Sequence, residues 1–287
     1  MTLKIGIATF PTEYAIRPVA LGRAAEERGF ESLFVVEHTH IPASRRTPYP
    51  PGGDLPSIYW ESFEPFTYLA QVAAVTRHLQ IGTGICLVPE HHPITLAKRV
   101  ASLDCLSGGR FLFGVGAGWN VEELENHGID FADRWLVLEE HVRAMKCCWV
   151  QKNAEFHGDF VNFDPVWVEP KPARIPHPPV LIGASSRWAI ERVVAFGDGW
   201  MPVLMPDFDA RMDQLDARCA EAGRDRADID VTVFAAPDDQ KLMAHLAGWG
   251  VNRLIALLPT LDESASLAWL DSQMHLLEWA KAIGAGR

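Results

Sequence analysis

The chain has only five cysteines in 287 residues, and none of their spacings suits a metal knuckle or a disulfide framework. Cys147 and Cys148 are adjacent within an expected helix, and all five read as buried thiols of a reducing compartment. No apolar run reaches membrane-spanning length, and the first residues lead into a strand rather than a signal peptide. A cytoplasmic protein that binds no membrane is the expectation. Positive charge is scarce as well. Lys and Arg number 26 against 37 Asp and Glu, a net charge of −11, which excludes non-specific binding to nucleic acid or anionic lipid. A local anion site built from amides and a few arginines remains open. No linker composition divides the chain, so residues 1–287 are read as one domain.

What is present is a large core and a repeating pattern. Hydrophobic residues make up 48% and charged residues 22%, enough apolar content for a single α/β barrel of this length. Residues 3–9 read as a strand, 15–28 as a helix stopped by Gly29, and 32–36 as a second strand. Residues 41–62 form a long loop rich in proline, glycine and aromatics, the kind that serves as a lid or binding segment. Helix 64–78, strand 79–88 and a helix opened by Pro93 follow, the last with Leu96, Val100 and Leu103 on one face. Residues 111–115 form the next strand. Trp135, Leu138, Val142, Met145 and Trp149 recur at helical spacing and read as core.

Residues 154–178 break the period and predict a small hairpin ending in a proline-rich stretch. The alternation then resumes, with strands at 180–183, 199–202, 229–235 and 253–258 and helices at 187–196, 207–222, 239–249 and 264–283. Eight strand–helix units predict a closed (β/α)8 TIM barrel of the α/β class, with insertions after strand two and before strand five.

In such a barrel all strand carboxyl ends share one mouth. Four would carry chemistry there: Glu37 and His38 after strand two, Gly84-Ile85 in strand three, Gly116, Ala117, Gly118, Trp119 and Asn120 after strand four, and Gly183, Ala184, Ser185 and Ser186 after strand five. The glycines either let backbone amides approach a ligand or serve tight packing; the sequence leaves both open. Ser185 and Ser186, with the following helix N-terminus and Arg187, suit an anion, and either serine can also be an N-cap. His38 can exchange a proton near neutral pH. His40 is read as pointing into the loop, and His91 and His92 as solvated. His38-x-His40 also resembles a two-histidine metal pair, but no later strand ends in the histidines or aspartate that would complete a hydrolase site, so no metal is expected.

Four segments together, IGTGICLVP (81–89), LSGGRFLFGVGAGWN (106–120), PVLIG (179–183) and GDGWMP (197–202), resemble the bacterial luciferase-like superfamily. FVVEHTHIPASRR (34–46) and its proline-rich continuation resemble the branch that uses coenzyme F420. The resemblance runs from residue 3 to about residue 260. It implies a flavin or deazaflavin across the barrel mouth, against a strand-three bulge with a non-prolyl cis peptide at Gly84-Ile85. It also implies a phosphate group near Gly116, Ala117, Gly118 and Gly183 to Ser186, with Glu37 and Asn120 also against the cofactor. His38 would sit near the reactive ring carbon, and the protein would be a homodimer. Members acting on sugar phosphates carry a glutamate proton donor where this chain has Trp119, so a phosphorylated sugar is disfavoured. An apolar or aromatic small molecule against Tyr59, Trp60 and Trp119 is the expected substrate, and Arg45 and Arg46 are candidates for the cofactor's acidic tail. An F420-dependent oxidoreductase is therefore expected, with an FMN-dependent monooxygenase as the alternative and a metal-dependent barrel hydrolase as a distant third.

Overall fold

The protein, seen in a computed structural model that describes residues 3–285, is a closed eight-stranded parallel barrel ringed by helices. The first half of the chain runs β1 (Lys4–Thr9), α1 (Pro18–Arg28), β2 (Ser32–Val35), α2 (Ile58–Glu61), α3 (Pro65–Val75), β3 (Gln80–Leu87), α4 (Pro93–Ser107) and β4 (Phe111–Gly116). After it come α5 (Val121–Asn126), α6 (Arg134–Val150) and the hairpin β5 (Ala154–His157) and β6 (Asn162–Val166). The rest is β7 (Val180–Ile182), α7 (Ala189–Phe196), β8 (Gly199–Trp200), α8 (Phe208–Ala222), β9 (Asp230–Val233), α9 (Gln240–Gly248), β10 (Arg253–Leu257), α10 (Glu263–Ser272) and α11 (Met274–Ala285). Around the barrel the order is β1-β10-β9-β8-β7-β4-β3-β2, with β1 pairing β10 to close it. No helix among the described residues is long and apolar enough to cross a membrane.

Side chains alternate along each strand, so one strand feeds two cores. Ile7, Leu33, Ile81, Phe111, Val180 and Val231 face the helices. Ala8, Phe34, Leu112, Leu181, Met201 and Ile255 fill the barrel, with Ile85 and Phe234 capping that interior toward the mouth. Helix α4 shows how the helical ring is specified. Pro93 fits its first turn, where no amide donor is needed, Leu96, Val100 and Leu103 bury one stripe, and Gly108 ends it in the left-handed conformation at φ 70°. At the amino-terminal rim of the barrel Arg253, 2% exposed, donates to Glu31, Asp230 and Thr232 and clasps three strands together. That rim serves stability, and it leaves the opposite one to bind.

The expected insertions are both present. The hairpin β5–β6 is pinned at its turn by Glu140, whose carboxylate accepts from the backbone amides of Asp159, Phe160 and Val161 at 2.6, 2.6 and 2.8 Å. The 41–62 loop is irregular apart from α2 and is tied to α5. Glu122 accepts from Thr47 N at 3.0 Å, from the Thr47 hydroxyl and from Ser44 Oγ at 3.2 Å, while Thr47 Oγ1 accepts from Val121 N. Two elements depart from the sequence reading. Helix α5 is additional, started by Asn120, whose side chain accepts from Glu123 N. The single last helix is two, because the chain turns at Gln273 after α10.

Candidate active site

At the carboxyl end of β3 the pairing with β4 shifts register between Thr83 and Cys86, and the Gly84-Ile85 peptide is cis. The bulge lifts Ile85 out of the sheet, half-buried between fully buried neighbours. Its side chain lies between two glycines. A Cβ on Gly116 would come 2.0 Å from Ile85 Cδ1, and one on Gly183 would come 2.4 Å from Ile85 Cγ2. Tight packing therefore explains both glycines. Gly116 is buried beneath Ile85 and does not reach the cavity, contrary to its expected place against a cofactor. Gly118 differs, holding φ 79° where the chain turns into α5.

A cavity of about 390 Å³ opens above this bulge. Its floor and walls are Gly84, Ile85, Ala117, Gly118, Gly183, Val203 and Phe234, and Phe10, His38, Tyr59, Trp119 and Trp135 stand around it. A smaller lobe of about 170 Å³ continues past Gly183 to Ala184, Ser185 and Met201. The walls are mostly apolar, as suits a planar aromatic ring with a few directing polar groups.

His38 is the directing group on the β2 side. Its side chain is 7% exposed, and its Nδ1 lies 2.8 and 3.1 Å from the two carboxylate oxygens of Glu123, itself 1% exposed. A carboxylate can only accept, so Nδ1 carries the proton and Nε2 is left to exchange one with a bound molecule. Glu123 also accepts from Thr39 N at 3.2 Å, which fixes it against the end of β2. The sequence reading missed Glu123. No helix was expected at 121–126, and the Glu123 side chain leaves that helix and pairs 85 positions back.

Aromatic rings complete the wall beside His38. Tyr59 packs on Phe10 at 4.9 Å and on His38 at 5.3 Å, and Trp119 meets His38 edge-on at 5.8 Å. Tyr49, also missed, lies edge-on to Tyr59 at 5.4 Å with the two hydroxyls 3.1 Å apart. Burial, then Tyr49, push the Tyr59 phenol further above neutrality, so it stays protonated. Trp60 does not join them. It is 50% exposed on α2, because successive helical residues point about 100° apart. Trp135, expected in the core, packs against it and also contributes to the cavity wall.

Several other expected site residues have structural partners. Asn120 is 2% exposed and caps α5. Glu37 borders the cavity but is committed to Leu87 N at 2.6 Å and His91 Nε2 at 3.0 Å. His91 is therefore largely buried rather than solvated; His92 is exposed. His38 and His40 do not act as a pair: His40 Nε2 faces Asn126, and its Nδ1 faces Thr39. Among the described residues the one converging set of three metal-ligand types is Glu37, Cys86 and His91, which contains neither. Arg46 pairs with Glu125 at 2.7 Å. Ser185, at the end of the smaller lobe, and Ser186 are both exposed, and neither caps α7. The helix begins at Ala189, after a turn in which Ala189 N donates to the Ser186 carbonyl.

Behind His38 sits a third carboxyl group, Glu90. Burial, then the charges of Glu123 and Glu37, push it up to about 9, and one of its oxygens is buried without a partner. It is protonated in the folded protein at neutral pH but ionised when unfolded above roughly pH 4.3. Folding then takes up a proton, so this group's contribution to stability falls as pH rises from about 4.3 toward 9. Glu90→Gln is expected to match wild type in melting temperature near pH 5 and to exceed it by several degrees at pH 8, for about 1–3 kcal/mol. Thermal melts across that range check this; a variant less stable at every pH contradicts it.

A family profile described as luciferase-like monooxygenase matches residues 9–273. An uncharacterized protein of Mycobacterium tuberculosis, Rv0953c, is 37% identical over 275 residues, covering 93% of this chain and 95% of that one. The FMNH(2)-dependent dimethylsulfone monooxygenase of Pseudomonas putida is 30% identical over 190 residues, covering 64% of this chain and 52% of its own. An F420-dependent secondary alcohol dehydrogenase, solved in complex with an F420-acetone adduct, shares the fold at TM-score 0.75 and 17% identity, covering 98% of this chain and 99% of that one. The bulged barrel, the cavity at its mouth and a match over almost the whole chain place this protein in the luciferase-like monooxygenase family of oxidoreductases.

Proposed function

We propose that this protein is an F420-dependent oxidoreductase that interconverts a small, uncharged alcohol and its carbonyl compound, or a comparable apolar pair. The observation that carries the reading is the His38–Glu123 dyad facing an apolar, aromatic-walled cavity. The residues present fit a planar tricyclic ring. Ile85, lifted by the bulge, and Phe234 and Val203 supply apolar support, and the cavity extends far enough for the ring and a small partner. When bound, the deazaflavin supplies or accepts the hydride. His38 Nε2 holds or takes the proton at the substrate oxygen, and Glu123 keeps the imidazole oriented and balances its charge. Tyr59 and Trp119 exclude water and hold the carbon skeleton. Among the described residues no lysine or arginine lines the cavity, which disfavours a phosphorylated or carboxylated substrate.

An FMN-dependent monooxygenase is the second reading, favoured by the identity to the dimethylsulfone monooxygenase. Homodimerisation also belongs to the proposal. An apolar groove of about 610 Å³ between α3 and α4, where Leu106 is 76% exposed, supports it.

Parallel titrations with oxidised F420 and FMN, followed by cofactor fluorescence, separate the two cofactors. F420 is expected to bind at least tenfold more tightly. Preference for FMN moves the assignment to oxygen chemistry, and binding of neither overturns both.

A further inference from the structure

Three arginines at the Ser186 end of the site are held by aromatic rings instead of carboxylates. The Arg192 guanidinium lies 4.0 Å from the centre of the Trp135 ring, Arg134 lies 3.7 Å from Phe131, and Arg187 lies 4.7 Å from Trp188. Among the described residues none of the three is in an ion pair, although the chain carries a net charge of −11. The nearest acids are Glu139, paired with Arg143, and Glu191, whose Oε1 lies 3.6 Å from Arg218 while its Oε2 is buried without a partner. Arg192 donates to Ser186 Oγ at 3.3 Å. Arg134 donates to the Phe131 carbonyl at 2.6 Å, and its Nε is buried with no partner.

Stacking on a ring fixes the guanidinium plane and leaves its N–H edge to donate, the arrangement that recognises a tetrahedral oxyanion. Position links the group to the site, since Trp135 is both the platform for Arg192 and part of the cavity wall. Burial, then the charge of Arg134, hold Arg192 below its usual range. Two cations this close, with only the partly committed carboxylates of Glu139 and Glu191 as counter-charges, are relieved by a bound anion.

We propose that Arg134 and Arg192, arrayed on Phe131 and Trp135 beside Ser186, form the subsite that takes the cofactor's phosphate. This rests on the cofactor reading above and deepens it. The phosphate is held by side chains from α6 and α7, just beyond the serines, rather than by the amino-terminal amides of α7. The shared chemistry is a phosphate ester, so the monoester of FMN and the diester of F420 both qualify.

The test compares each cofactor with its phosphate-free form, using F420 against its deazaflavin–ribityl core and FMN against riboflavin. Ligand fluorescence is titrated with wild type, Arg192→Gln and Arg134→Gln. Each variant is expected to weaken the phosphorylated ligand by about 10–100-fold, the loss of a charge-assisted contact. The phosphate-free ligand should change by less than about threefold, and the salt dependence of binding should flatten. Equal loss on both members of a pair overturns the subsite, since that marks a merely structural role. If wild type binds neither cofactor, the cofactor reading fails while the subsite is still decided by inorganic phosphate. Thermal stabilisation by phosphate in wild type, absent in Arg192→Gln, upholds it; no stabilisation in wild type overturns it.

Discussion

Replacing His38 by alanine is expected to lower hydride-transfer turnover by about 10²–10⁴-fold, the usual worth of a positioned acid–base group. The affinity for the deazaflavin should stay within a few-fold. The asymmetry follows from the site's layout. On the proposed reading the ring would rest on Ile85, Phe234 and Val203, away from position 38, whereas the proton at the substrate oxygen would depend on Nε2 alone. The measurement is steady-state turnover followed by cofactor absorbance, using the fastest alcohol or carbonyl from a small panel, alongside a fluorescence titration of cofactor binding. Equal loss in both would remove His38 from the chemistry.

Glu123→Gln should cost about 10–10³-fold in the same assay while changing the fold little. Glu123 receives two donors, His38 Nδ1 and Thr39 N, and only a carboxylate can accept from both with either oxygen. A glutamine must aim its NH₂ at one of them. The imidazole then turns away or takes the other tautomer, with the proton on Nε2 and no carboxylate to balance a positive ring. Because Glu123 acts through His38, the His38→Ala/Glu123→Gln double variant should be no slower than His38→Ala alone. Losses that multiply would show that Glu123 works by another route. A second readout is independent of turnover. Removing the Glu123 charge lowers the pH at which Glu90 ionises, so the variant's stability should fall less steeply between pH 6 and 9 than that of wild type.

Much of this architecture could be read from the chain. Buried parallel strands stand out as short apolar runs, and helices such as α4 are bracketed by Pro93 and Gly108, so the alternation of eight units is local information. His38 was identifiable because it ends a strand, and strand ends converge in a closed barrel. What escaped was long-range. The partner of His38 is 85 positions away, on a helix that the chain's periodicity did not show. Tyr49 belongs to the site through the fold of a loop that has no periodicity to read. Gly116 and Gly183 suggested a backbone ligand cradle, but a single side chain, Ile85, accounts for both. Ser185, Ser186 and Arg187 stood out in the chain as an anion site, but Arg192 did not, because its place over Trp135 is set by how α6 and α7 meet.

The short helix α5 has one more implication. Glu122 tethers the 41–62 loop through Thr47 and Ser44, and the next residue, Glu123, orients His38. The loop over the cavity and the imidazole proposed to handle the proton thus hang from consecutive residues of one turn and a half of backbone. Any swing of the loop that tugs on Glu122 is felt at once by the imidazole. Anyone transplanting a different loop onto this barrel to change substrate preference would need to carry residues 120–123 with it, or the graft would arrive with its base out of aim.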